Sequence, residues 1–203
     1  MPYWDDTDPL PCMYSGTLPA SKQYDHNLFY WLFKNNNKTA PLVLWLNGGP
    51  GSSSMFGLFT ENGPIRVAKN GTTTNDFIVS LPRDGLGSWV DEADMLYLDQ
   101  PVNVGFSYGD SYATTMQQIS DEIVNFLVEF IYTKYPEYQT RDFVISGESY
   151  AGKYLPQLAT TIQQWNINQK ATGGTQLINL KAALIGDPFV SPVRQRMATH
   201  LIA

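Results

Sequence analysis

Phe143-Val144-Ile145-Ser146-Gly147-Glu148-Ser149-Tyr150-Ala151-Gly152 is the stretch on which the reading of this chain turns. Phe143-Val144-Ile145 is a short apolar run of the kind that forms a strand. After Tyr150 the apolar residues change period. Tyr154, Leu155, Leu158, Ile162 and Trp165 share one face of a helix predicted over 150–166. Between strand and helix, Gly147-Glu148-Ser149-Tyr150-Ala151 has the form G-x-S-x-small of a nucleophile elbow. So tight a turn accepts only small residues two places before and two places after the serine, and Gly147 and Ala151 meet that need. Ser149 is then expected at the sheet edge, at a helix N-terminus that favours developing negative charge. The same residues also suit a plain strand-to-helix turn with Ser149 as a cap.

Outward from this turn, further apolar runs resemble the first. Pro41-Leu42-Val43-Leu44-Trp45-Leu46 is continuous, as in a strand covered on both faces of a mostly parallel sheet. Met95 to Leu98 and Ala182 to Ile185 are similar, and Asn75 to Ser80 is a shorter candidate. Met13 to Leu18 and His26 to Lys34 read as a hairpin. Ile119, Ile123, Phe126, Leu127, Phe130 and Ile131 fall at helical spacing, with Pro136 as the stop. Strand and helix alternate, which predicts an α/β domain with a parallel sheet and its chemistry at one edge.

The strand ending at Leu46 leads into Asn47-Gly48-Gly49-Pro50-Gly51-Ser52-Ser53-Ser54. Such a loop exposes backbone N–H groups and permits close approach. In an α/β-hydrolase, one oxyanion donor comes from the loop after an early strand, the other from the residue after the nucleophile. Here those are the N–H groups of Gly49 and Tyr150. An ordinary Gly-Pro turn is the simpler alternative. A phosphate-binding loop is a poor rival, because no Gly-Lys-Ser/Thr ending follows.

The chain has 203 residues, of which 43% are hydrophobic and 16% charged, with a formal net charge of -6. That length allows one domain or two small ones. The acidic balance argues against nucleic acid or an anionic membrane as partner. No apolar run approaches the ~20 residues of a membrane span. Cys12 is the one cysteine, so no disulfide within the chain and no cysteine metal site is expected. Nothing in the pattern calls for a metal or a cofactor. The start, Met1 to Asp6, lacks the basic head and apolar run of a signal peptide. Asn37-Lys38-Thr39 and Asn70-Gly71-Thr72 are glycosylation sequons, which matter only on the secretory route.

Three motifs together resemble the serine carboxypeptidase family. They are Trp45-Leu46-Asn47-Gly48-Gly49-Pro50-Gly51-Ser52-Ser53-Ser54, then Asp99-Gln100-Pro101-Val102-Asn103-Val104-Gly105-Phe106-Ser107, then Gly147-Glu148-Ser149-Tyr150-Ala151-Gly152. The resemblance covers nearly the whole chain and implies roughly the first half of a family member, the N-terminal portion of a single α/β-hydrolase domain over 1–203. It implies a truncated, mostly parallel central sheet with flanking helices. It implies a serine-type carboxypeptidase, acting through an acyl-enzyme on peptides with a free C-terminal carboxylate, secreted or vacuolar. Ser149 matches the nucleophile, and Gly49 and Tyr150 the oxyanion hole. Asn47, the Gly48 N–H and Glu148 match the group that holds the terminal carboxylate, and Glu61 a second acid bonded to the first. An ionised Glu148 would repel that carboxylate. Two close, buried carboxyls share a proton at a raised pKa, which suits an acidic optimum.

The chain also departs from that pattern. A triad needs an acid and a histidine after the serine. The histidines are His26 and His200, and both read as ordinary surface or core residues. The chain alone is therefore expected to be inactive, a fragment or decayed paralogue with an open sheet edge. A non-catalytic binding protein is the alternative, and an acyltransferase is disfavoured because Glu61 and Glu148 are both present. Ser52 stands where the family has a paired cysteine, Lys153 where relatives often have histidine, and Asp187 where the family has asparagine.

Overall fold

Continuous apolar runs, rather than strands of alternating polarity, build the centre of this fold. A computed structural model describes residues 11–69, 77–81 and 87–198. The main sheet takes β1 (Met13–Pro19), β2 (His26–Phe33), β3 (Leu42–Leu46), β6 (Asp94–Leu98), β7 (Tyr108–Gly109), β8 (Phe143–Glu148) and β9 (Leu180–Gly186). Its order is β1-β2-β6-β3-β8-β9, with β7 beside β2. The pairings β6–β3, β3–β8 and β8–β9 are parallel, and those made by β1, β2 and β7 are antiparallel. The hairpin thus adds an antiparallel flank to the parallel half.

Every residue of β3 and β6 is buried, and the pleat divides their side chains between two cores. Leu42, Leu44, Leu46, Leu96 and Leu98 face the helices α2 (Met116–Glu129) and α3 (Ala151–Ala171). Val43, Trp45, Met95 and Tyr97 pack on the other side against Met55, Leu58 and Ile65. Each fully buried Leu contributes roughly 1.5–3 kcal/mol, so the two cores together fix which face of each strand points where.

The predicted helices form with shifted ends. Thr115 caps α2 by accepting from the Gln118 N–H at 3.1 Å, and Ile119, Ile123, Phe126 and Leu127 are buried. The α-helix then widens into a π turn over Phe130–Lys134. Pro136 lies beyond it, opening a short 3-10 turn, so the predicted stop holds. Helix α3 runs five residues further than the sequence reading, through Ala171, and carries Pro156 on an exposed position. Trp165 is only partly buried, because its indole N–H reaches out to the Gln176 carbonyl at 2.7 Å.

Two expectations need correction. The candidate strand over Asn75 to Ser80 is not part of the main sheet. Its described part, β5 (Phe77–Ser80), pairs antiparallel with β4 (Arg66–Lys69) in a separate ribbon. The run Ala182 to Ile185 is not covered on both faces. Strand β9 is the edge of the sheet among the described residues, and Lys181 to Leu184 are exposed. Short helices α1 (Met55–Thr60) and α4 (Pro192–Ala198) were not anticipated. His200 and the sequon at Asn70 lie outside the described residues.

Candidate active site

Ser149 stands between β8 and α3 with a backbone φ of 57°. That left-handed conformation costs a residue with a side chain about 1–2 kcal/mol, so the surroundings must impose it. They do so from two sides. The Ser149 N–H donates to the Gly186 carbonyl at 3.0 Å, and the Ser149 carbonyl accepts from Phe189 N–H at 2.8 Å. On the other side, β3 presses close: a Cβ at Gly147 would sit 2.2 Å from the Leu46 carbonyl oxygen and 2.8 Å from Ala151 Cβ. Only glycine fits there. The Ser149 side is exposed, and its hydroxyl makes no hydrogen bond among the described residues.

The glycine loop lies directly against this elbow. A Cβ at Gly48 would be 2.4 Å from the Tyr150 nitrogen and 2.9 Å from Ser149 Cβ. Gly49 and Gly51 have φ of 107° and 89°, conformations that glycine adopts freely. Among the described residues, neither the Gly49 N–H nor the Tyr150 N–H donates to an acceptor, and neither residue is buried. Both N–H groups are thus left free, Tyr150 beside the serine and Gly49 next to the residue that touches it, as the oxyanion expectation needs.

The second motif supplies the scaffold that holds the loop. Asp99, at the end of β6, is fully buried. Its Oδ1 accepts from Ser53 Oγ at 2.6 Å and from the Ser54 N–H at 2.9 Å. Its Oδ2 accepts from the Phe106 N–H at 3.0 Å. A Cβ at Gly105 would lie 2.0 Å from that same Oδ2, which accounts for the glycine in the second motif. Ser54 Oγ donates to the Leu98 carbonyl at 2.6 Å and accepts from Asn47 N–H at 3.2 Å.

Asn47 then reaches the acid pair. Its Oδ1 accepts from Trp45 Nε1 at 2.8 Å and from the Gly57 N–H at 3.0 Å. Two donors on that oxygen settle which way the amide faces. Its Nδ2 is turned to the carboxylates, donating to Glu61 Oε1 at 3.2 Å and Glu148 Oε1 at 3.1 Å. Glu61 follows α1, and its carbonyl accepts from Arg66 Nη2 at 2.7 Å. Burial pushes the Glu61 carboxyl up, and the neighbouring charge of Glu148 pushes it further, while the Asn47 bond opposes both.

The structure brings Asn47, Gly48, Gly49, Glu61, Glu148, Ser149 and Tyr150 to one edge of the sheet. It does not bring His26 there. That ring is buried in the hairpin, with Nδ1 2.8 Å from Glu122 Oε1 and Nε2 2.8 Å from Ser111 Oγ. Of the three departures, two gain an account. Lys153 Nζ donates to the Val190 carbonyl at 2.6 Å, tying the loop after β9 to the first turn of α3. Asp187 has φ of 38°, a region that aspartate tolerates better than most residues. Ser52 is exposed, and its N–H closes the glycine loop on the Gly48 carbonyl at 3.2 Å. The loop after β9 also seats Phe189 against Tyr150, ring centroids 5.9 Å apart.

The comparisons with known proteins agree with this geometry. The family model described as serine carboxypeptidase matches residues 5–201. A venom serine carboxypeptidase of Apis mellifera is 41% identical over 187 residues, covering 90% of this chain and 37% of the relative. Carboxypeptidase Y homolog A of Trichophyton rubrum is 46% identical over 191 residues, covering 93% of this chain and 32% of the relative. The crystal structure of Kex1(delta)p, a prohormone-processing carboxypeptidase from Saccharomyces cerevisiae, superposes with a TM-score of 0.77 at 31% identity, over 94% of this chain and 42% of that one. The fold is therefore of α/β-hydrolase type. The chain spans about a third of the length of these curated relatives, rather than the half the resemblance implied. From its motifs, its elbow and its matches alike, this chain belongs to the serine carboxypeptidase family.

Proposed function

We propose that this chain carries the nucleophile, the oxyanion hole and the carboxylate-binding group of a serine-type carboxypeptidase. The observation that supports this most is the Asn47 amide, which bridges Glu61 and Glu148 one residue from Ser149. A general esterase has no use for two carboxyls held on one amide beside its nucleophile. An enzyme that must grip an anionic chain end has one: a protonated carboxyl donates where a carboxylate would repel.

In this reading, the terminal carboxylate of a peptide accepts from Asn47, the Gly48 N–H and the protonated member of the acid pair. Ser149 Oγ attacks the last peptide carbonyl, and the N–H groups of Gly49 and Tyr150 hold the oxyanion. The C-terminal amino acid leaves, and water releases the acyl-enzyme. A base must take the Ser149 proton, since a serine hydroxyl is a weak nucleophile without one. His26 is committed to Glu122 and Ser111. We therefore propose that the 203-residue chain alone is inactive, and that the secretory or vacuolar route is its setting, by analogy with the venom relative.

Release of free amino acids from N-blocked dipeptides by the protein from its natural source tests this reading. Ser149→Ala abolishes that release if the assignment is right. Cleavage of simple esters without release of amino acids would overturn it. Strong fluorophosphonate labelling of the isolated 203-residue chain would overturn the proposed inactivity.

A further inference from the structure

We propose that Asn37 is a site of N-linked glycan attachment, at the end of the sheet away from Ser149. The proposal rests on the secretory reading above. Its first support is the tripeptide Asn37-Lys38-Thr39, which meets the acceptor rule of asparagine, any residue but proline, then serine or threonine. Such tripeptides occur by chance, so the structure has to add something. It adds three observations.

The acceptor is presented. Residues Asn36, Asn37, Lys38 and Thr39 are all exposed, in the turn between β2 and β3. The turn is also fixed. The Asn37 N–H donates to Asn35 Oδ1 at 2.6 Å, and the Asn37 carbonyl accepts from Ala40 N–H at 3.1 Å. Finally, the side chain is oriented. Asn37 Oδ1 accepts from the Thr39 N–H at 3.0 Å and from Thr39 Oγ1 at 2.8 Å. With the oxygen turned inward on Thr39, the planar amide sends Nδ2 outward, and Nδ2 has no partner among the described residues. The folded turn therefore keeps its hydrogen bonds with a glycan on Nδ2.

Position in the fold makes the modification compatible with the proposed chemistry. The turn enters β3 at Leu42, whereas the site lies beyond Leu46 and beyond the parallel partner strand β8. Five strand residues at ~3.3 Å each separate the two ends, about 17 Å of packed sheet. A glycan at Asn37 therefore leaves the entrance to Ser149 clear. It also hydrates a surface poor in charge, since charged residues are only 16% of the chain.

The step balances without a redox partner. A bond forms between Asn37 Nδ2 and the anomeric carbon of an oligosaccharide carried on a lipid diphosphate. The bond from that carbon to the phosphate oxygen breaks, the diphosphate leaves, and the amide gives up one proton.

The test is peptide mapping of the full chain made in cultured eukaryotic cells behind a cleavable signal peptide, so that entry into the secretory pathway is assured. The expected result is a glycosylated peptide spanning Asn37, converted to the Asp form by N-glycosidase. The glycan is lost in Thr39→Ala and kept in Thr39→Ser, which separates sequon recognition from loss of folding. An unmodified Asn37 in the secreted wild-type chain would overturn the proposal. A glycan on the signal-driven chain, with none on protein from the natural source, would uphold the site and overturn the secretory reading instead.

Discussion

Replacing Glu61 by glutamine tests the acid pair without touching the nucleophile. Asn47 Nδ2 lies 3.2 Å from Glu61 Oε1 and 3.1 Å from Glu148 Oε1, so the two oxygens are no more than about 6 Å apart, where like charges repel by roughly 1–3 kcal/mol depending on solvent screening. Both side chains are partly exposed, and screening moves the figure to about 1 kcal/mol. The Glu61 pKa is raised in the folded protein, by burial first and by Glu148 second. A raised pKa means that its proton is held more tightly in the folded state. The stabilisation is therefore complete below the unfolded value near 4.5 and is lost as pH rises through the folded value. The introduced amide mimics the protonated acid at every pH. Glu61→Gln should match the wild type near pH 4 and exceed it by about 1 kcal/mol at about pH 7.5, a rise in Tm of about 2–4 °C for a domain of this size. Urea unfolding across that range reads the difference directly. A constant difference at all pH values, or a less stable variant at the upper end of the range, would refute the coupling of the two acids.

Other consequences are open to measurement. Gly147→Ala drives a Cβ to 2.2 Å from the Leu46 carbonyl oxygen, a backbone atom that cannot step aside. It should lower stability in urea by about 1–3 kcal/mol and cut fluorophosphonate labelling of the native-source protein about a hundredfold. Arg141→Met strands Asp94, whose Oδ2 accepts from Arg141 Nη1 at 2.8 Å and from Tyr138 OH at 2.6 Å. With the Asp94 carboxylate buried and the Arg141 side chain nearly so, the loss should be about 3 kcal/mol by denaturant titration. Lys153→Met removes the bond to the Val190 carbonyl, worth about 1 kcal/mol at a half-exposed site. Amide exchange over 187–191 should then quicken roughly fivefold, with little change in global stability.

Much of this was legible because it is local. The runs at Leu42, Met95 and Phe143 are apolar enough to be strands in any context, and the face from Ile119 to Leu127 repeats over two turns. Helix α1 has six residues, too few to display a helical period. Strand β4 mixes Arg66 and Lys69 with two small apolar residues, and no alternation marks it. The Ala182 run has the composition of a buried strand, yet its exposure depends on what lies beside β9. Asp99 shows the same limit at the site. Its neighbours Ser53, Ser54 and Gly105 could be quoted as motif residues, but only the folded chain shows that one carboxylate joins them.

The register between β3 and β8 carries the chemistry further than any single residue does. Leu46 pairs with Gly147, so the next residues along the two parallel strands, Asn47 and Glu148, emerge side by side at the same edge. One step later, Gly48 meets the backbone of Glu148 and Tyr150 and the Cβ of Ser149. The amide-to-carboxylate bond and the seat of the nucleophile are thus two successive rungs of one ladder. A slip of one residue would exchange the two faces of β3, sending Val43 and Trp45 toward the helices. It would also part Asn47 from Glu148. Because Leu44 and Leu46 are fully buried on one face while Trp45 is buried on the other, that slip is forbidden by both cores at once. The packing that fixes the sheet therefore also aligns the acid pair with the serine, and it does so through strands that lie wholly within this chain.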